Sequence, residues 1–365
     1  MSPVGVGIVG AGVISQHYLK HLAKCPDVRV LHVSDVDVER AKAAAAEFGV
    51  PAAGTVAEQL AMPDVELVVN LTIPAAHAEV AAAALTAGKH VYGEKPLALD
   101  PAAGARLLAL AAERGLRVGN APDTFLGAGL QSARRALDDG VIGQPVSVAT
   151  VVQGPGPEGW HPNPDFYYQL GGGPLFDMGP YYLTALIGMF GPVTRAVGTA
   201  RRARERRVIG SGPRAGVEVA VDVATHVTAL LDFADGLSAA STFSFDSSMS
   251  RTVIEIIGTE GTLSVPDPNR FDGPLRVHRV GGDWQDLPVT GSELGRGMGV
   301  VELARALRAD RPHRASGELA GHVLDTMAAI LDSAAHGEFR TVGSTVDRPA
   351  ALPAGWDPTA ATLEG

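Results

Sequence analysis

Along the first third of the chain, short runs that are apolar throughout alternate with longer Ala-rich stretches whose apolar positions recur at helical spacing. The apolar runs predict strands over 4–9, 28–33, 65–71, 90–92 and 117–120, and the stretches between them predict helices over 14–24, 37–48, 75–87 and 101–114. Strands without polar alternation are covered on both faces, and strands that alternate with helices build a parallel, doubly wound sheet. Beyond Pro122 the pattern changes. A helix is predicted over 127–139, a strand over 145–153 and a helix over 175–189, with a loop rich in Gly, Pro and aromatic residues over 154–173. Segments 217–233, 237–245, 252–257 and 275–280 carry β-branched residues between turn signals such as Ala234-Asp235-Gly236, the pattern of an antiparallel or mixed sheet. Helices over 300–309 and 317–336 close this part. The Pro- and Ala-rich tail after Thr345 is expected to be extended and loosely held.

A length of 365 residues suits two domains, and 46% hydrophobic against 19% charged residues supplies ample core. The boundaries read as 1–122 for the first domain, 123–345 for the second and 346–365 for the tail. The formal net charge is −10. The one dense cationic run, Arg201, Arg202, Arg204, Arg206 and Arg207, reads as a solvated connection between strands, so no nucleic-acid partner is expected. The single cysteine, Cys25, excludes an intrachain disulfide and offers no cysteine-based zinc site, and the eleven histidines are read as showing no H-x-x-x-H or H-E-x-x-H spacing on a helix, so no metal is expected. No signal segment is expected ahead of the first strand, and no apolar run approaches the ~20 residues of a membrane span. The expectation is a cytoplasmic protein with no membrane partner.

The first strand runs into glycines. A literal G-x-G-x-x-G falls on Gly5, Gly7 and Gly10, but that register puts two glycines inside the strand. The physically sensible register is Gly10-Ala11-Gly12 with Ser15, between a strand and a helix. Gly10 makes the tight turn, Gly12 admits a pyrophosphate, and Val13 and Ile14 open the helix whose free amides face it. Asp35 ends the second strand 23 positions after Gly12. A carboxylate there accepts hydrogen bonds from ribose hydroxyls and repels a 2′-phosphate, which favours NAD, with NADP left open by Arg40. Thr72 and Pro74 follow the next strand and line the same crevice. His77 starts a helix and is read either as a cofactor contact or as a structural histidine.

Gly93-Glu94-Lys95-Pro96 ends the fifth predicted strand, where the reactive end of a dinucleotide lies. A lysine there can hydrogen-bond a substrate hydroxyl. Farther on, Gly171-Gly172-Gly173 leads into a helix carrying Asp177 and Tyr181. Four residues apart, they share a face: either an acid/base pair, or a carboxylate favoured by the helix dipole with a core tyrosine beside it. The loop Trp160-His161-Pro162-Asn163-Pro164-Asp165-Phe166-Tyr167-Tyr168 combines aromatic platforms with polar groups, as sugar sites do. Trp160, His161 and Asp165 are its candidate substrate contacts, with His161 an alternative base. Asp123 and Thr124, after the sixth strand, are expected to face the crevice.

In order and spacing, these pieces resemble the Gfo/Idh/MocA oxidoreductases, over roughly Val4 to Val342. The resemblance rests on Gly10-Ala11-Gly12 with Ser15, on Asp35, on Glu94-Lys95-Pro96, and on Gly171-Gly172-Gly173 leading to Asp177-Met178-Gly179. It implies an α/β fold: an N-terminal Rossmann domain, then an α/β domain with a large open, mostly antiparallel sheet that often forms the interface of homodimers or homotetramers. The last helices are implied to pack back near the first domain. It further implies NAD(P), a carbohydrate substrate, and catalytic or substrate-binding roles for Lys95 and Asp177. Many members carry a histidine four residues after the aspartate, whereas this chain has Tyr181. An unperturbed tyrosine ionises near about 10, so a tyrosine base implies activity that rises toward alkaline pH. The expected function is dehydrogenation of a secondary alcohol on a cyclic sugar, polyol or derivative. Two alternatives stay open: a redox-neutral NAD-dependent glycoside hydrolase or lyase of the same fold, and a non-catalytic dinucleotide-binding sensor.

Overall fold

Strand β1 (Val4–Val9) is buried at every position, as its uninterrupted apolar pattern requires. It lies at the centre of a parallel sheet in the computed structural model, which describes residues 2–363. The other strands of this sheet are β2 (Val28–Ser34), β3 (Ala52–Gly54), β4 (Leu67–Asn70), β5 (His90–Gly93) and β6 (Val118–Asn120), in the order β3-β2-β1-β4-β5-β6. Helices α1 (Val13–Leu22), α2 (Val38–Phe48), α3 (Val56–Ala61), α4 (His77–Thr86) and α5 (Pro101–Glu113) make the connections. Strand order reverses between β1 and β4, which opens a crevice at their carboxyl ends.

β3 and α3 were not foreseen, because three and six residues are too few to display a period. Their legible signal was Thr55-x-x-Glu58, which forms a capping box. α3 and the turn that follows it also explain the two glycines inside β1. A Cβ on Gly7 would lie 2.6 Å from the Gln59 side chain, and one on Gly5 would lie 1.8 Å from the Asp64 carbonyl oxygen. These glycines serve close packing, which leaves Gly10 and Gly12 as the turn of the fingerprint.

The chain does not divide at residue 122. The first compact unit joins Met1–Ala128 to Gly291–Gly321 and Leu352–Gly365, and so includes the helix Met298–Arg308 and most of the tail. The expectation of a loosely held tail is corrected. Asp27 is fully buried and accepts from Arg305 Nε at 2.6 Å, from the Thr362 amide and hydroxyl at 2.9 and 2.6 Å, and from the Leu363 amide at 2.9 Å. Arg305 also donates to the Ala360 carbonyl at 2.7 Å and lies 5.2 Å from the centroid of the Trp356 ring.

The second unit comprises Gly129–Thr290 and His322–Ala351. After α6 (Ala128–Asp138) come β7 (Pro145–Gln153), α7 (Gly173–Phe190), β8 (Val193–Arg201), β9 (Arg206–Val208), β10 (Glu218–Ala220), β11 (His226–Phe233), β12 (Ser238–Ser244), β13 (Arg251–Gly258), β14 (Thr262–Ser264), β15 (Leu275–His278), β16 (Trp284–Leu287) and β17 (Arg340–Thr341). Nine of these strands form one sheet in the order β16-β15-β14-β13-β7-β12-β11-β8-β17, antiparallel except for the β7–β12 pair. Register puts Ala196, Leu231, Ala239, Val148, Ile256 and Leu263 in one row across six strands, all buried, with α7 packed against β11 and β12. The next row, Val197, Leu230, Ala240, Ala149 and Glu255, points to the other face, where Leu230 is 49% exposed.

Instead of one strand over 217–233, β10 pairs with β9 in a separate two-stranded ribbon and β11 joins the large sheet. The ribbon also corrects part of the arginine run. Arg207 is buried, not solvated. It donates to Glu158 at 2.6 Å and to the Phe245 carbonyl at 3.2 Å, pairs with Asp246, and sits against the Tyr168 ring. No described helix is long and apolar enough to cross a membrane.

Candidate active site

In the first unit, Gly10 turns the chain with φ +101°, where a Cβ would stand 2.7 Å from the Leu71 carbonyl oxygen. Gly12 caps α1 without any side-chain hydrogen bond, and a Cβ there would meet nothing within 4 Å. The first-turn amides of α1 therefore face open space of the kind a pyrophosphate fills, bounded by Gly12 and Val13 with Ile14 behind. Ser15 is fully buried and donates to the Gly12 carbonyl at 2.6 Å, so the third fingerprint position needs a small residue.

Asp35 does more than the sequence suggested. Its carboxylate accepts the Ala11 amide at 2.7 Å and the Asp37 amide at 2.9 Å, and it is gripped by Arg40, whose Nη2 lies 2.5 Å from Oδ1. Burial works to raise its pKa, but the Arg40 and amide hydrogen bonds outweigh burial and hold the carboxyl below the usual range. Asp35 thus ties the glycine turn to the end of β2. Around this turn, Val13, Val36 and Ile73 are 80%, 97% and 69% exposed. Three bare apolar side chains at the carboxyl ends of β1, β2 and β4 suit the apolar faces of an adenosine.

Thr72 donates through its hydroxyl to Asn70 Oδ1 at 2.7 Å, and Pro74 starts a short turn after it. His77 is buried, with Nδ1 2.7 Å from the Pro96 carbonyl and Nε2 3.0 Å from the Thr72 carbonyl. It braces the loops after β4 and β5 against each other. Glu94 is buried and accepts the Tyr18 hydroxyl at 2.8 Å and the Lys95 amide at 3.1 Å. Lys95 itself is half-buried, and its peptide bond to Pro96 is cis.

Asp123 is a correction. It is fully buried, so it does not face a crevice, and it accepts the Gly297 and Gly299 amides at 2.8 and 3.1 Å, at the start of the helix Met298–Arg308. Burial drives its pKa up, opposed by the Arg296 charge and those two amides. Thr124 is buried as well. His17 and His21 correct the expectation that no H-x-x-x-H spacing falls on a helix. They stand one turn apart on α1, a spacing that can ligate zinc. His21 Nδ1 lies 3.0 Å from the Arg296 carbonyl, and among the described residues no group of three His, Cys, Asp or Glu could hold a metal.

In the second unit, α7 brings Asp177 and Tyr181 onto one helix, Asp177 half-buried and Tyr181 5% exposed. The aromatic loop stands on its own small core of Tyr168, Ile209, Val219, Val221 and Phe245. Trp160 is 65% exposed and meets His161 and Tyr167 edge-on, with centroids 5.5 and 6.4 Å apart. His161 Nδ1 accepts the Asn163 amide at 3.1 Å, which puts the proton of a neutral ring on Nε2 and leaves no lone pair open to act as a base. Asp165 is engaged by Arg214 through two bonds of 2.5 and 2.9 Å. Their pairing explains why the carboxyl of Asp165 lies below the usual range.

Comparison with known proteins identifies the family and the fold. A family model described as an oxidoreductase family with an NAD-binding Rossmann fold matches residues 4–121, and the GFO/IDH/MocA C-terminal domain matches residues 130–264. The chain is 33% identical over 279 residues to dTDP-3,4-didehydro-2,6-dideoxy-alpha-D-glucose 3-reductase of Streptomyces antibioticus, covering 75% of this chain and 77% of that protein. It is 29% identical over 307 residues to trans-1,2-dihydrobenzene-1,2-diol dehydrogenase of Bos taurus, covering 83% and 86%. The fold is that of levoglucosan dehydrogenase in complex with NADH and L-sorbose, with a TM-score of 0.81 at 21% identity over 94% of this chain and 100% of that one. With both domains matched in order and an open glycine turn at the head of α1, the chain belongs to the Gfo/Idh/MocA family of NAD-binding oxidoreductases.

Proposed function

We propose that this chain catalyses reversible oxidation of a secondary alcohol on a cyclic sugar, polyol or sugar derivative. The observation that carries the reading is Lys95 at the carboxyl end of the dinucleotide sheet, its backbone held by Glu94 on one side and, through Pro96, by His77 on the other. The relatives named above act on deoxysugar nucleotides and on a cyclic diol, which supports a ring-borne hydroxyl as the reacting group. NAD, when bound, supplies the hydride acceptor. The Lys95 ammonium donates to the carbinol oxygen and holds it in place. Tyr181 takes the hydroxyl proton, and Asp177, on the same helix, orients the ring. Tyr181 is preferred to His161 because the Asn163 amide occupies the histidine's lone pair. The exposed indole of Trp160 is the platform for an apolar sugar face.

The test is absorbance at the NADH band with D-glucose, D-galactose, D-xylose, myo-inositol and levoglucosan, each with NAD and NADP, at several pH values. Signal that grows with one class and rises toward alkaline pH is the expected result. Product by chromatography without net NADH would replace the dehydrogenase by the redox-neutral hydrolase or lyase. Neither signal nor product, with NADH still bound, would favour a sensor.

The open sheet face carrying Val197, Leu230, Ala240 and Ala149, continued by Thr199, Thr228, Thr242, Val151 and Val253, is uncharged at these nine positions, and charge on the first row begins only beyond them, at Glu255, Arg276 and Asp286. We assign it to a second copy of the chain. Light scattering is expected to give a dimer or tetramer, and Leu230→Lys a smaller species. A wild-type monomer would remove the assignment.

A further inference from the structure

Tyr18 is fully buried on α1, six residues after Gly12, and the proposed chemistry does not use it. Six residues is about 9 Å along a helix. Tyr18 therefore lies on the helix that holds the pyrophosphate, well below that helix's open end. Its hydroxyl donates to Glu94 Oε1 at 2.8 Å. The other Glu94 oxygen accepts the Lys95 backbone amide at 3.1 Å. The carboxylate is thus a two-ended bridge, one end on the dinucleotide helix and the other on the residue proposed to hold the substrate oxygen. Burial, then the Glu94 charge, push the Tyr18 phenol far above its ordinary value, so it remains a donor at every working pH. Across the same segment, His77 meets the Pro96 carbonyl, so the backbone at 95–96 is held from two independent elements.

We propose that Tyr18 is a positioning residue that acts through Glu94 to set Lys95 in register with the helix holding the dinucleotide. This rests on the reading that Lys95 is catalytic. It differs from a packing role because a phenylalanine fills the same space and removes only the bridge's first bond. Without that bond, Glu94 is free to turn, and the Lys95 amide loses its fixed acceptor. A misplacement of about 1 Å at a reacting group costs up to about a hundred-fold in rate, and the pyrophosphate contacts at the head of α1 are untouched by it.

The experiment compares wild type, Tyr18→Phe, Glu94→Gln, the double variant and Lys95→Met as holoenzymes, with the fastest substrate of the panel above. It reads kcat, KM, NADH affinity by fluorescence, and Tm. The expected result is a Tyr18→Phe kcat lowered about ten-fold or more, with NADH affinity within about two-fold and no further loss when Glu94→Gln is already present. Additive losses in the double variant would mean that Tyr18 acts by another route, and would overturn the proposal even if Tm falls. An unchanged kcat in Tyr18→Phe alongside an inactive Lys95→Met would overturn it while sparing the role of Lys95. An active Lys95→Met would bring down both.

Discussion

Gly12→Asp is expected to weaken NADH binding by about two to three decades while leaving the fold intact. The backbone of Gly12 has φ −80° and ψ −170°, a conformation open to any residue, and a Cβ there meets nothing within 4 Å. Aspartate is also a favoured helix N-cap, so the substitution supplies the side-chain cap that α1 lacks. Tm should therefore hold within about 2 °C. Binding should not hold, because the new carboxylate stands where the pyrophosphate must come against the helix amides. Two like charges about 4 Å apart near a protein surface repel by roughly 4 kcal/mol, and each 1.4 kcal/mol is a factor of about ten in affinity. Titration of NADH fluorescence reads the change. A variant that binds within about three-fold of wild type would move the pyrophosphate away from α1.

How much of this was legible follows from the length of each signal. β1, β2, β4 and β5 carry apolar runs that declare themselves, β6 is marked by its place after the long helix α5, and each lies within two residues of its expected place. β3 and α3 are too short for periodicity, although Thr55 and Glu58 carried a capping signal in the sequence. Positions set by the nearest strand end were readable, as with Gly10 and Gly12 after β1 and Lys95 after β5. Roles set by distant chain segments were not. Asp123 follows β6 as a crevice residue should, but its partners are amides about 175 residues away at Gly297 and Gly299. Arg207 looked solvated within its run because alternation along a three-residue strand decides which arginine turns inward, and Glu158 and Asp246 wait there. Nor did the local chemistry of 346–365 reveal the tail's docking, since its anchor, Asp27, precedes β2.

That anchor carries the largest stability effect expected in the molecule. Asp27 is fully buried and satisfied by Arg305, Thr362 and Leu363, so Asp27→Ala removes one member of a buried pair and leaves a guanidinium without its carboxylate. Removal of one partner of a buried pair costs about 3–5 kcal/mol, or roughly 4–7 °C in Tm for a chain of this size. Replacing both members, Asp27→Leu with Arg305→Met, should recover a large part of the loss, because the stranded charge is gone. A double variant as unstable as the single one would place the cost in the tail's contacts rather than in the ion pair. Acid provides a second check. Burial tends to raise the Asp27 pKa, but the hydrogen bonds from Thr362, Leu363 and Arg305 together outweigh it and hold the carboxyl below its ordinary value of 3.8. The sign follows from linkage. With the folded value depressed, the contribution is fully present above the unfolded value and disappears as pH falls through the folded one. The Tm gap between wild type and Asp27→Ala should therefore be constant down to about pH 4 and narrow below it. A gap that stays the same through that range would mean that packing of Leu363 and Trp356, not the charge on Asp27, fastens the end of the chain to the first unit.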